Sequence, residues 1–212
     1  ASSAHEVFAG GKGANQSAAL ALAGAEVFHA GQIGPEGQWL VDKLAGFGVN
    51  MIYTLTGETP TGHAIIQVDN QGQNSIVLFP GANKKISYSA IDSTLSHFAQ
   101  GDILLLQNEI NGIDYLIAQG KERGFKVCFN PAPYGPEILE YPLHFVDLLI
   151  VNETEARGLL GPASADQLID RLAAAWPQAQ IVLTLGEQGA HYSSAQERFY
   201  LPATPVDAVD TT

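Results

Sequence analysis

Short apolar runs alternate along the chain with stretches whose apolar residues recur every three to four positions. Residues 26–33, 102–106, 125–129, 146–151 and 181–185 are runs of strand length with few polar interruptions. Between them, residues 36–47 place Leu40, Leu44 and Phe47 on one helical face, and 114–123, 153–160 and 165–175 also read as helices. Strict alternation would mark strands with one wet face, whereas near-continuous apolar runs mark strands buried on both sides. The pattern predicts an α/β fold: a mostly parallel sheet with helices on both faces.

One segment breaks the rhythm. Residues 62–69 and 73–79 are strand-like and are joined by Asn70-Gln71-Gly72, which signals a hairpin. Alternation is imperfect, with Ala64, Ile65, Ile66 and Val68 all apolar. Ile65 and Ile76 are assigned to one parity, and Ile66 and Val77 to others, so apolar residues face both sides. A hairpin inserted in an α/β chain commonly covers something, which predicts a small β lid over 60–80. A plain edge hairpin is the other reading. Residues 191–193 and 198–201 suggest a second antiparallel pair.

Composition agrees with a packed core. Of 212 residues, 46% are hydrophobic and 15% charged, which suits one α/β domain with a sizeable core. The formal net charge is -12, from 10 Lys+Arg against 22 Asp+Glu. Such an acidic surface repels phosphate backbones and anionic lipid, so nucleic acid and membrane are excluded as partners. The single cysteine, Cys128, excludes an internal disulfide framework and a Cys-rich zinc site. No apolar stretch approaches the roughly 20 residues of a membrane span. Residues 1–9 show neither a basic nor an apolar leader pattern, so the cytoplasm is the expected compartment. Both ends read as cut. The chain opens straight into a glycine cluster with no strand before it, and Val209-Asp210-Thr211-Thr212 ends on a strand edge.

The glycine cluster is the first candidate for chemistry. Gly10-Gly11-Lys12-Gly13-Ala14-Asn15-Gln16 precedes a helical run over 17–23. Glycines let the backbone approach a ligand, and a helix starting here points free N–H groups at it. Lys12 and Asn15 add side-chain donors. The spacing is neither a Walker loop nor a dinucleotide fingerprint. On residue chemistry alone, an ordinary glycine-rich turn is an equal alternative. Four further positions, Glu109, Asn130, Asn152 and Gly186, each follow an apolar strand run, where open α/β sheets bind ligands. Glu109 is either an acceptor for ligand hydroxyls or a solvated carboxylate. Asn152-x-x-Glu155 is a capping box as well as a candidate ligand contact, and the two roles are compatible.

The ordered set of motifs resembles the ribokinase (PfkB-type) family of carbohydrate kinases. Gly10 to Gln16 looks like its first signature. Thr59-Pro60-Thr61-Gly62, Asn74-Ser75-Ile76 and Pro80-Gly81-Ala82-Asn83 look like the strands and ends of its lid. Leu106-Gln107-Asn108-Glu109, Asn130-Pro131-Ala132-Pro133, Asn152-Glu153-Thr154-Glu155-Ala156 and Thr184-Leu185-Gly186-Glu187-Gln188-Gly189 follow in family order. The resemblance implies ATP-dependent phosphorylation of the primary hydroxyl of a small sugar, with D-ribose as the expected acceptor. It gives Gly11, Lys12, Gly13, Asn15 and Glu109 to the sugar. Asn152, Glu155, Thr184, Gly186 and Gly189 go to the nucleotide, and Glu155 also to Mg2+ through water. Asp210 and Thr212 match positions around an activating monovalent cation, K+; an ordinary exposed aspartate is the alternative for Asp210. The resemblance further implies an α/β domain over 10–212 with 1–9 and 60–80 as elements of a β lid, and a homodimer through that lid. The family's catalytic aspartate is expected beyond Thr212, and its first strand before Ala1, so no residue here is named as general base. His63, His97, His144 and His191 lack metal-ligand spacing, and Trp39 and Trp176 read as packing residues. Two other readings remain: a kinase for another sugar or a nucleoside, and a non-catalytic sugar-binding protein of the same fold.

Overall fold

The structure is a computed structural model that describes residues 6–68 and 74–205. The chain forms two compact units, Ala1–His97 with Glu109–Gly112, and Phe98–Asn108 with Ile113–Thr212.

In the first unit, α1 (Lys12–Leu22) leads into β1 (Phe28–Ile33), α2 (Gln38–Gly46) and β2 (Asn50–Thr56). β1 and β2 pair in parallel. The sequence pattern places the start of α1 at Ser17, but the helix already begins at Lys12, inside the glycine cluster. Only Gly11 carries the positive φ that ends the preceding loop, so the following Gly13 is helical. The strand β2 and the helix α3 (Tyr88–Leu95) were not legible. β2 mixes polar and apolar residues without a clean period, and α3 is short. Residues 6–11 form no strand.

The hairpin is present as β3 (His63–Val68) and β4 (Asn74–Phe79), antiparallel. Its turn, Asn70-Gln71-Gly72, lies outside the described residues. The observed register pairs Ile65 with Val77 and Ile66 with Ile76. Directly paired residues share a face, so Ile65 sits with Val77 and not with Ile76. The assumed parity fails because the two strands are offset by an even total across the turn. Both faces are apolar all the same, and Ile65, Ile76, Val77 and Leu78 are 52%, 52%, 62% and 67% exposed.

The hairpin's base is tightly built. Glu36 Oε1 accepts from the Thr61 N–H at 2.6 Å, and the Gly34 N–H donates to Thr61 Oγ1 at 2.9 Å. Backbone hydrogen bonds, its own and that of Thr61, hold the Glu36 carboxyl below its usual range. The two stems cross at glycines: a Cβ on Gly62 would lie 2.6 Å from the Pro80 carbonyl oxygen, and one on Gly81 would lie 2.9 Å from the Gly62 nitrogen. The Ala82 N–H closes the crossing by donating to the Pro60 carbonyl at 2.9 Å.

Among the described residues, the second unit holds a six-stranded sheet in the order β10-β9-β8-β7-β6-β5. Its strands are β5 (Ile103–Gln107), β6 (Lys126–Asn130), β7 (Leu148–Asn152), β8 (Gln180–Thr184), β9 (Ala190–Ser193) and β10 (Arg198–Leu201). β5 to β8 are parallel, and β9 and β10 are antiparallel additions. Helix α4 (Ile113–Glu122) connects β5 to β6, short 3-10 turns at Pro136–Glu140 and Leu143–Phe145 connect β6 to β7, and α5 (Glu153–Leu160) and α6 (Ala165–Ala175) together connect β7 to β8. Val127, Phe129, Leu149, Val151, Ile181 and Leu183 form one fully buried face, closed by Ile117, Leu168 and Leu172 from the helices. α5 and α6 start at capping boxes, Asn152 with Glu155 and Ser164 with Gln167. Cys128 is half-buried in β6, and burial pushes its thiol above the ordinary value. Trp39 on α2 is substantially exposed, unlike a packing residue. Among the described residues, no helix is long and apolar enough to cross a membrane.

Two predictions follow from this packing. Leu183→Ala should cost about 2–5 kcal/mol in urea unfolding, because a fully buried leucine leaves a cavity that close-packed neighbours cannot fill. The second concerns His29 on β1, whose Nδ1 lies 2.8 Å from Ser17 Oγ on α1. Burial lowers the His29 pKa below its ordinary 6.5. The unfolded chain therefore takes up a proton first as pH falls, and stability is lost from about pH 6.5 downward while nothing is lost above it. His29→Asn keeps a polar atom near the Nδ1 position and removes this titration. By calorimetry, its melting temperature should fall less between pH 7 and pH 5 than that of the wild type; parallel curves would refute the assignment.

Candidate functional site

The sugar-binding candidates gather at the start of α1. Gly11 occupies the N-cap with φ 99, which a side chain rarely tolerates, and a Cβ there would meet open space. No side chain of the helix's own N-terminus caps it. Glu109 does so instead: the Lys12 N–H donates to Glu109 Oε2 at 2.9 Å, and Lys12 Nζ lies 3.4 Å from Oε1. A carboxylate satisfies an orphan N–H of the first turn and is favoured by the positive end of the helix. Both side chains are part-exposed, so the ion pair contributes little to stability. Its value is arrangement. Carboxylate oxygens, an ammonium group and helix N–H groups lie together within reach of solvent, a set able to accept from and donate to neighbouring hydroxyls. Gly13 and the exposed Asn15 complete the first turn, with the Asn15 N–H donating to the Gly11 carbonyl at 2.9 Å.

The nucleotide candidates lie at the carboxyl edge of the parallel strands. β6, β7 and β8 are neighbours and end in Asn130, Asn152 and Thr184, the last two directly paired. α5 starts at Asn152 without a loop, which brings its N-terminus to that edge. Glu155 is only 6% exposed, so its charge needs donors. Oε2 accepts from the Asn152 N–H at 2.9 Å and Oε1 from Asn152 Nδ2 at 2.9 Å, while the Glu155 N–H donates to Asn152 Oδ1 at 2.9 Å. The capping box is therefore formed in full, and one hydrogen of the Asn152 amide is already committed to it. Asn152 itself is exposed, so its other amide hydrogen is left to the solvent side.

Beyond β8 the chain makes a tight turn over Gly186–Gln188, with the Leu185 N–H donating to the Gly189 carbonyl at 2.8 Å. The two glycines of this loop serve different ends. Gly186 has φ 58 and a Cβ there would meet open space, which leaves its backbone approachable. Gly189 has φ 101 and its missing Cβ would strike the carbonyl of Leu201, the last residue of β10, so it is required by packing. Thr184 Oγ1 donates to the Val151 carbonyl at 3.4 Å.

Sequence reasoning gave Asn130 and Asn108 no specific role. Asn130 Nδ2 reaches both the Ile150 carbonyl and Glu155. Asn108 is 6% exposed and donates through Nδ2 to the Pro133 carbonyl and Glu137 Oε1 while accepting from the Tyr141 hydroxyl. Burial, then Glu137 and Asp114, pushes the Tyr141 phenol up, which keeps it a donor. The available signal was an asparagine between an apolar strand and a glutamate, where a polar side chain is costly unless fully bonded.

Among the described residues, no group of three His, Cys, Asp or Glu could hold a metal ion. Mg2+ is held elsewhere through one or two carboxylates with waters and substrate phosphates. The donor set here, one well-oriented buried carboxylate, fits contact through water and not a protein cage. Asp210 and Thr212, the candidates for a monovalent cation, lie outside the described residues. A mainly apolar cleft of about 300 Å³, lined by Ala173, Trp176, Pro177, Ala179 and Ser193–Ala195, sits beside the start of β8 and holds none of the candidate residues.

Residues 2–212 match the sequence profile described as pfkB family carbohydrate kinase. The ribokinase of Haemophilus influenzae is 34% identical over 218 residues, which cover 98% of this chain and 71% of that protein. The crystal structure of a ribokinase from Thermotoga maritima superposes with a TM-score of 0.81 at 31% identity, covering 98% of this chain and 70% of that one. An Arabidopsis thaliana ribokinase complexed with ribose and ATP gives a TM-score of 0.78 at 28% identity, covering 94% and 68%. Profile, relatives and fold agree with the ordered motifs: the chain belongs to the pfkB family of carbohydrate kinases, enzymes that transfer a phosphoryl group to a sugar.

Proposed function

We propose that the protein phosphorylates the primary hydroxyl of D-ribose with MgATP, giving ribose 5-phosphate. The observation that carries this reading is the Glu109–Lys12 pairing at the N-terminus of α1. There a carboxylate, an ammonium group and backbone N–H groups stand ready for vicinal hydroxyls. The similarity to ribokinases favours ribose over other sugars. In this reading Gly11, Lys12, Gly13, Asn15 and Glu109 hold the sugar. Asn152 and the turn Thr184–Gly189 bind nucleotide, and Glu155 orients a water of the Mg2+ shell. Mg2+ supplies charge neutralisation at the phosphates. What these residues contribute is binding and orientation, the positioning part of a catalysis that in phosphoryl transfer rests on positioning together with electrostatic stabilisation. Asp210 and Thr212 are assigned to an activating K+. The exposed apolar hairpin β3–β4 is assigned two roles, as a lid that excludes water over the sugar and as the contact of a homodimer.

Glu109→Ala in the full-length protein should weaken D-ribose binding by roughly tenfold to a hundredfold and leave ATP affinity nearly intact. A lost hydrogen-bond partner of charged type costs about 1.5–3 kcal/mol. Calorimetric titration with D-ribose, 2-deoxy-D-ribose and D-fructose measures this and ranks the acceptors. Unchanged ribose affinity in the variant would overturn the site, and tighter binding of another sugar would overturn the substrate. For the hairpin, sedimentation at micromolar concentration should show a dimer that Val77→Asp converts to monomer; a wild-type monomer would refute the assignment.

A further inference from the structure

The parallel sheet of the second unit is not paired to its edge everywhere. β5 pairs with β6 as far as Gln107 and Asn130, and β7 with β8 as far as Asn152 and Thr184. Between them, the β6–β7 pairing stops at Phe129 and Leu149. Continued by one residue, the register would set Asn130 opposite Ile150. There the side chain takes over from the backbone: Asn130 Nδ2 donates to the Ile150 carbonyl at 2.8 Å. An amide nitrogen carries two hydrogens, and the same atom lies 3.4 Å from Glu155 Oε2. One side chain thus closes the end of the ladder and touches the carboxylate that starts α5.

The segment after Asn130 is held on two sides. Toward β5, the Asn108 N–H donates to the Ala132 carbonyl at 3.0 Å, and Asn108 Nδ2 donates to the Pro133 carbonyl at 3.0 Å. Toward α5, the Tyr134 hydroxyl donates to the Gly158 carbonyl at 2.7 Å, and a Cβ on Gly158 would press on the Tyr134 ring at 2.7 Å. The Ala132 N–H returns to the Asn130 carbonyl at 2.8 Å. With its backbone fixed in this way, Asn130 has little freedom to turn its amide from Glu155.

We infer that Asn130 is a positioning residue: it fixes the orientation of the Glu155 carboxylate toward the metal-nucleotide complex. The inference rests on the reading of Asn152 and Glu155 as the nucleotide and metal contacts. The capping box alone ties Glu155 to its own helix start. Asn130 is the contact that ties the carboxylate to the neighbouring strand, so its loss lets Oε2 turn with the helix terminus and misplaces any water held there. Partners that orient a metal-binding group typically matter by 10–100-fold in metal affinity. A contact of 3.4 Å acting through water belongs at the lower end.

The test uses the full-length protein and calorimetry. ATP affinity is measured with EDTA and again with excess Mg2+, and the ratio of the two is the metal-dependent gain. Asn130→Ala should cut that gain by roughly tenfold, with metal-free ATP affinity and ribose affinity within about twofold of wild type. Asn130→Ser, a milder change, should show the same split if the alanine variant does not fold. Tyr134→Phe loosens the same loop without touching Glu155, and should lower the melting temperature while keeping the gain. If both Asn130 variants keep the full gain while the wild type shows one, Asn130 does not position Glu155. A parallel loss of metal-free and metal-bound affinity would mean a purely structural role and would also overturn the inference. A wild type without any metal-dependent gain would remove the underlying assignment of Glu155 together with it.

Discussion

A carboxylate taken out of water has to find donors, and the carboxyl edge of the sheet is organised around Glu155 meeting that need. Its oxygens are served by the Asn152 backbone, the Asn152 side chain and Asn130. The first two belong to a helix start that follows β7 without a loop, and the third to the end of β6. One buried charge therefore fixes the entry angle of α5, the spacing of two strand ends and the direction of the helix N-terminus. The apolar face beneath, with Phe129, Leu149 and Val151 fully buried, keeps those strand ends from sliding. Burial supplies most of the stability, and the charge selects which arrangement of the edge is allowed.

The first unit uses the same chemistry in a wetter form. Glu109 also caps a helix, but from a distant part of the sequence, and it remains part-exposed together with Lys12. An exposed cap is cheap to disengage, because water replaces the lost partner. A buried one is not. The two carboxylates are thus suited to different tasks. Glu109 is free to exchange its helix N–H for another donor, whereas Glu155 is held in place by its donors.

Much of this was legible in the residues. The buried parallel strands announced themselves through continuous apolar runs, and 153–160 and 165–175 coincide with α5 and α6 because strong capping boxes mark both starts. α1 was placed too late because glycines mask a helix start, and β2 was missed because Asn50–Thr56 alternates poorly. Motif order singled out Gly11, Lys12 and Glu109, which gather at the start of α1, and Asn152 and Glu155, which form the capping box of α5. What stayed hidden was connectivity at long range: that Asn130 reaches Glu155, that Asn108 anchors the loop after β6, and that Ser17 meets His29. Such contacts depend on register and side-chain direction, and a single chain of letters records neither. The hairpin shows the same limit, since its strands were found and its facing residues were not.

The crossing at the base of the hairpin bears on time as well as shape. Glycines at 62 and 81 let the stems approach so closely that neither can rotate past the other, and Glu36 ties Thr61 to the loop before α2. A ribbon clamped at its root does not flutter strand by strand. Any swing then moves the ribbon as one stiff blade, with its hinge outside the crossing that Pro60, Gly62, Pro80 and Gly81 lock together. Collective swings of this kind belong to microseconds and longer, well apart from the nanosecond motion of a free loop. The clamp thus separates the clock of the hairpin from that of the side chains it carries.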